Sequence, residues 1–398
     1  MTQDTPLHPF DRPSAAVLRA RGSLKWTGID AEIAAWVAES DFGTAPAVTA
    51  ALRDAVETGR TGYLTPALRR DLGEACSGWQ RSRYGWDVSP DRVHPVGDVL
   101  EALRVTVAHL SRPGSPLIVP TPAYMPFVHA PRVWGREILP VPMAQDAGRS
   151  TLDLDAVDRA FEAGGHLLVL TNPHNPTGRV HTRAELSALA DVVAGHGGRV
   201  FADEIHAPLV YAGGQHISYA SLSTATAAHT VTATSASKAW NVAGLKCAQI
   251  LLSNHDDAVR WAPIDQVVTT GASTLGAVAN IAAYRHGGPW LEEVVSYLDG
   301  NRRAFAAVMD DLAPSVPHLP PEGTYLAWID LRDALTAFPD APGAGDVARW
   351  LLERTGVSVV DGAACGSAGA GFVRLNLAMP RPMVVEAGRR IAAGLDAG

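Results

Sequence analysis

Between residues 93 and 252 the chain repeats one pattern, and that pattern leaves few folds open. Short, nearly continuous apolar runs at 93–96, 117–119, 137–141, 166–170, 199–202, 230–234 and 248–252 read as strands. Stretches with helical character, such as 98–110 and 183–194, separate them. A strand that is apolar on both faces must be covered on both, and parallel neighbours need a crossover helix. The alternation therefore predicts an α/β fold with a mostly parallel sheet. In such sheets ligands are bound just beyond the carboxyl ends of the strands. The polar clusters of this chain stand at those places.

The flanking sequence differs. Residues 1–45 mix Pro, Gly, Trp and charge without a sustained period and read as an extended N-terminal arm contributing to a small domain. Helices are predicted over 46–58 and from Pro66 to near Tyr84, opening a large domain that runs over 46–288. A long helix (290–312) and the proline-rich break PSVPHLPPEG then lead to strands near 325–329, 357–360 and 373–375. That α+β pattern predicts a smaller C-terminal domain over 289–398. At 398 residues the chain has room for two cores. Its 33 Lys and Arg stand against 41 Asp and Glu, a net charge of -8 with no long basic stripe, which argues against a nucleic-acid partner. Three widely spaced cysteines form no CxxC pair, and no apolar run is long enough for a membrane helix. With a polar, proline-broken N-terminus, the expectation is a cytoplasmic protein without a membrane partner.

Six features carry chemistry. Lys238 directly follows a strand and sits among Ala236, Ala239, Trp240 and Val242, where desolvation would lower its pKa and make its amine a nucleophile. Ser235, Ser237 and Lys246 nearby suit a phosphate; a surface lysine in a small-residue loop is the plain alternative. Asp203 closes a buried strand beside Glu204 and His206 and needs a partner, either a protonated ring nitrogen or a structural arginine or helix N-terminus. Asn175 lies between two Asn–Pro steps in TNPHNPTG, a loop stiff enough to aim an amide. Gly97-Asp98-Val99 joins a strand to a helix, whose first N–H groups attract an anion. Tyr124, after the strand LIV, suits stacking on a flat ring or burial in the core. Arg374 alternates with Val373 and Leu375 in a strand and suits bidentate capture of a carboxylate, or an ion pair. Together these supply what pyridoxal 5'-phosphate (PLP) acting on an amino acid requires. The GSAGAG stretch at 366–371 precedes a strand and reads as a connector, and the histidines show no metal-binding spacing, so no metal is assigned.

On these residues, and on WVAESDF (36–42), NPHNPTGR (172–179), DEIH (203–206), SASKAWNVAGL (235–245), EGTYLAW (322–328) and VRLNLAMP (373–380), the chain resembles the fold-type I PLP-dependent enzymes. Within them it is similar to the MalY/PatB-type cystathionine β-lyases, or C–S lyases. The resemblance implies an aspartate aminotransferase-like fold, PLP as cofactor and a homodimer with shared active sites. It implies that Lys238 bonds the cofactor aldehyde, Asp203 pairs with its ring nitrogen, Asn175 bonds its phenolic oxygen and Tyr124 stacks on its ring. Gly97, Asp98, Val99, Ser235, Ser237 and Lys246 would cup the phosphate, with Tyr63 reaching it from the neighbouring subunit. Arg374 would bind the substrate carboxylate, with Ala38, Tyr124 and Asn175 lining the substrate. His206 stands where many aminotransferases of this fold type have a tyrosine. The expected reaction is α,β-elimination from cystathionine or another L-cysteine S-conjugate. Transamination, and oxidative or decarboxylative processing of such a conjugate, are the alternatives. Glu39 and Ser40 replace Asp and Met of the usual WVADMDF, and Ala207-Pro208 follows DEIH where many members carry Asp; both bear on side-chain specificity.

Overall fold

The computed structural model describes residues 8–342 and 345–396. Its centre is a seven-stranded sheet in the order Val93–Val96, Ala248–Leu252, Thr230–Thr234, Arg199–Asp203, Leu167–Thr171, Leu117–Thr121, Ile138–Pro142. All neighbours run parallel except Ala248–Leu252, which is antiparallel to both of its partners. Its reversed direction brings the residues before it, Lys246 among them, to the edge where the other strands end. Five of the seven strands are buried throughout, as their unbroken apolar runs require; Arg199–Asp203 is buried except at half-buried Arg199, and Ile138–Pro142, at the edge, is partly exposed. One face packs Val231, Ala233, Phe201 and Val169 under the helix Val99–Val105; the other packs Leu168, Val200 and Leu170 under Arg183–Gly195.

A second core lies under an antiparallel sheet in the order Leu326–Asp330, Phe372–Asn376, Val360–Asp361, backed by the helices Val347–Thr355 and Arg381–Gly394. The 25-residue helix Gly288–Leu312 joins the two cores: Leu291, Val294 and Leu298 lie in the first, Phe305 and Met309 in the second. Ile33–Ala34 pairs with Val357–Ser358 and so ties the N-terminal segment to this second sheet.

The N-terminal segment is not simply extended. Its described part holds the short helices Ala15–Ala20 and Leu24–Thr27, too short to show a period, anchored by buried Leu18 and Trp26. Residues 1–7 of the expected arm lie outside the described residues. The expected helix 98–110 is α-helical over Val99–Val105 and widens into a π-turn over Thr106–Leu110. No described helix is long and apolar enough to cross a membrane, and no group of three metal-binding side chains occurs among the described residues.

Candidate active site

Asp203 is the last residue of its strand and is 4% exposed. Its Oδ1 accepts a hydrogen bond from the Ile205 amide at 3.1 Å. Burial pushes its carboxyl up to about 7, against the opposing pull of that amide and of Lys238. Glu204 faces away from it, accepting from Ser218, from the Tyr219 amide and from His216. His206 is buried against Tyr325, ring centroids 6.0 Å apart, and burial holds it well below the usual histidine value, so it is neutral.

Lys238 sits in the turn after Thr230–Thr234. The turn is locked from beneath: Trp240, fully buried, donates Nε1–H to the Gly287 carbonyl at 3.1 Å, and the Ala236 amide donates to Asn280 Oδ1 at 2.9 Å. Gly287 is required here, because a Cβ would stand 2.3 Å from Trp240 Nε1. Burial first, and the Arg374 charge second, pull the Lys238 amine down to about 8. Its Nζ donates to the Ala38 carbonyl at 3.0 Å, which also accepts from the Tyr325 hydroxyl at 3.0 Å.

The segment 36–41 works as a rail of backbone acceptors. Trp36 O receives Arg374 Nη2 (3.1 Å), Val37 O and Glu39 O receive Asn376 Nδ2 (2.7 Å each), and Ser40 O receives Asn241 Nδ2 (2.9 Å). The rail is fixed by a buried ion pair, Lys25 Nζ to Asp41 Oδ2 at 2.9 Å, with Trp26 donating to the other carboxylate oxygen. Arg374 is 2% exposed, and its Nη1 donates to Asn175 Oδ1 at 2.9 Å. That contact turns the Asn175 amide so that Nδ2, a donor, is available to a ligand.

On the phosphate side, Asp98 caps Val99–Val105 by accepting from the Glu101 amide (2.8 Å), and its other oxygen meets Lys246 Nζ at 2.9 Å. Ser235 Oγ donates to Cys247 O and meets Ser237 Oγ, both at 2.7 Å. Tyr124 stands half-buried before the helix Met125–Val133, edge-on to Phe127.

The residues present fit PLP. Asp203 is a buried carboxylate with no cation paired to it among the described residues, the environment a protonated ring nitrogen completes. Arg374 Nε and His206 Nδ1 are buried without partners among the described residues, polar groups in excess of what the fold uses. The chain thus brings Lys238, Asp203, Asn175, Arg374, Tyr124, Ser235 and Gly97-Asp98-Val99 to one edge. Ala38 meets the site through its carbonyl. Tyr63 stands apart, 97% exposed. Tyr325 and Asn376 were not singled out from the sequence. Asn376 was within reach, since a period of two places it on the face of Arg374; Tyr325 reads as one more apolar strand residue.

The profile of the family "aminotransferase class I and II" matches residues 37–391. The chain is 39% identical to a cystathionine β-lyase of Corynebacterium glutamicum, over 96% of this chain and 99% of that one. It is 32% identical to the cystathionine β-lyase PatB of Bacillus subtilis, over 94% and 97%. Among solved structures it matches a PLP-bound C–S lyase of Staphylococcus hominis with a TM-score of 0.89 and 28% identity, over 97% and 98% of the two chains.

Proposed function

Because the chain belongs to the class I and II aminotransferase family and, within it, to the MalY/PatB-type C–S lyases, we propose that it is a PLP-dependent carbon–sulfur β-lyase. Its substrate is cystathionine or another L-cysteine S-conjugate, and its products are a thiol, pyruvate and ammonia. Bound PLP supplies an aldehyde carbon that bonds an amine and a pyridinium ring that accepts electrons as Cα loses its proton.

One observation carries the reading. The Lys238 amine and the Arg374 guanidinium rest on carbonyls two residues apart, those of Ala38 and Trp36. A base and a carboxylate clamp are thereby set side by side, as Cα and the carboxylate of one amino acid require. Arg374 spends one Nη1 hydrogen on Asn175 and one Nη2 hydrogen on Trp36 O, and the second hydrogen of each Nη holds the substrate carboxylate. Lys238, with its amine lowered to about 8, takes the Cα proton. The Cα–H electron pair becomes the Cα–Cβ double bond as the Cβ–S bond breaks, and sulfur leaves with the bonding pair. Lys238, or Tyr63 of the partner subunit, returns a proton to the sulfur, and the released 2-aminoacrylate takes up one water to give pyruvate and ammonia. Asp203 holds the ring nitrogen, Asn175 the phenolic oxygen, Tyr124 covers the ring, and Gly97, Asp98, Val99, Ser235, Ser237 and Lys246 surround the phosphate. The exposure of Tyr63 supports a homodimer in which it completes the neighbouring site.

The test is a panel of cysteine S-conjugates, cystathionine included, scored for thiol, pyruvate and ammonia in equal amounts. A parallel assay supplies an amino acid with a 2-oxo acid. Thiol with matching pyruvate supports the lyase. Efficient amino transfer without thiol release would replace it by an aminotransferase.

A further inference from the structure

The carbonyls along 36–40 are not held alike. Those of Trp36, Val37, Glu39 and Ser40 accept from the side chains of Arg374, Asn376 and Asn241. The Ala38 carbonyl instead accepts from the Lys238 amine, at 3.0 Å. Lys238 must leave that acceptor, to bond the cofactor aldehyde and to reach Cα, and whatever else holds the carbonyl then holds it alone. Among the described residues that is the Tyr325 hydroxyl, which donates to it at 3.0 Å. A carbonyl oxygen has two lone pairs, so both donors fit it at once.

Tyr325 is fixed in that place. It is 1% exposed, with its ring edge-on to His206. Burial holds its phenol well above the usual tyrosine value, so it stays an O–H donor near neutral pH. The residue before it, Thr324, has φ +66°, which a β-branched residue adopts only where its neighbours impose it. Here they do. The Thr324 amide donates to Leu209 O at 2.8 Å, its carbonyl accepts from the Tyr211 hydroxyl, and its own hydroxyl accepts from the Leu326 amide at 3.0 Å. The Tyr325 carbonyl in turn accepts from the Leu377 amide at 2.7 Å. A strained turn, tied on every side, thus aims one phenol at the one carbonyl whose other donor has to move.

We propose that Tyr325 is a positioning residue for Lys238: its hydroxyl keeps the Ala38 carbonyl aimed while the amine is away and so brings the amine back to one place beside Arg374. The inference adds a residue to the lyase reading and rests on it. When Lys238 takes the Cα proton its amine becomes an ammonium, and its hydrogen bond to a fixed carbonyl is then charge-assisted. The Tyr325 hydroxyl bonds neither Arg374 nor Asn175, which face the substrate carboxylate, so its loss falls on kcat rather than on KM.

Tyr325→Phe removes the hydroxyl and keeps the buried ring. In cofactor-free protein the pH profile of amine labelling, read on the peptide that carries Lys238, should move down by about one unit, because a buried ammonium without a fixed acceptor is harder to maintain. In PLP-loaded protein kcat for thiol release should fall about tenfold, with KM within about twofold of the parent. A labelling profile that stays in place or moves up overturns the proposal, since the hydroxyl then does no more than compete with the amine for the carbonyl. So does a kcat within about twofold of the parent, or a loss carried by KM. A parent protein that transfers amino groups without releasing thiol overturns the lyase reading instead. The labelling arm needs neither cofactor nor turnover and decides on Tyr325 in either case.

Discussion

Replacing Asp203 by Asn separates the effect of the carboxylate on the cofactor-free fold from its effect on the reaction. The side chain is 4% exposed and accepts a hydrogen bond from the Ile205 amide. Its carboxyl titrates at about 7 in the folded chain, against about 4 in an unfolded one. Between those values the folded chain holds the proton that the unfolded chain releases. Stability of the cofactor-free protein therefore falls as pH rises from about 4 to about 7, and the full penalty is present above that. A gap of this size corresponds to on the order of 2–4 kcal/mol. Asparagine keeps the shape and removes the charge. Cofactor-free Asp203→Asn should thus be more stable than the parent by on the order of 2–4 kcal/mol near pH 8, with the advantage shrinking towards pH 5. In the PLP-loaded protein the same change removes the partner of the ring nitrogen and should lower thiol release by roughly a hundredfold or more. Urea unfolding of the cofactor-free proteins near both pH values, with thiol release by the loaded ones, checks both halves. A cofactor-free variant no more stable than the parent near pH 8, or a loaded variant within about threefold of parental activity, would refute the reasoning.

Arg374→Gln should lower kcat/KM by about a hundred- to a thousandfold through loss of the charged clamp on the substrate carboxylate. It should also let the free Lys238 amine titrate higher, because Arg374 is one of the charges pulling it down; the pH profile of amine labelling in cofactor-free protein reads this. Tyr63→Phe and Lys238→Ala should each be nearly inactive alone. When co-expressed, they should recover about a quarter of the parental sites, because each mixed dimer has one intact site. Recovery absent from purified mixed dimers would remove Tyr63 from the shared site.

The sheet was legible because its central strands are buried on both faces and leave unbroken apolar runs between helices. Position did the rest for Asp203, which closes a strand, and for Lys238, Asn175 and Tyr124, which follow strand ends. Other parts carried weaker signals. The helix Thr274–His286 buries Gly276, Ala277, Val278, Ala279, Ala282 and Ala283, so it is apolar nearly all round and shows no clear stripe. The acceptors at 36–40 are backbone carbonyls, which no residue type announces. Lys25 and Asp41 look like surface charges in the sequence. They are buried because Lys25 Nζ also reaches the carbonyl of Ala378, 353 residues away. Tyr325 hides at the head of an apolar run, just before the strand Leu326–Asp330, and its role appears only when Ala38 and Lys238 are brought to it.

The account rests on the amine of Lys238 and the aldehyde of PLP, and reduction of the loaded protein with borohydride tests that bond directly. Peptide mass mapping should find one phosphopyridoxyl group per chain, on the peptide carrying Lys238. Its absence from Lys238→Ala completes the expected result. A label on another lysine, or none on a protein that still releases thiol and pyruvate, would contradict the account.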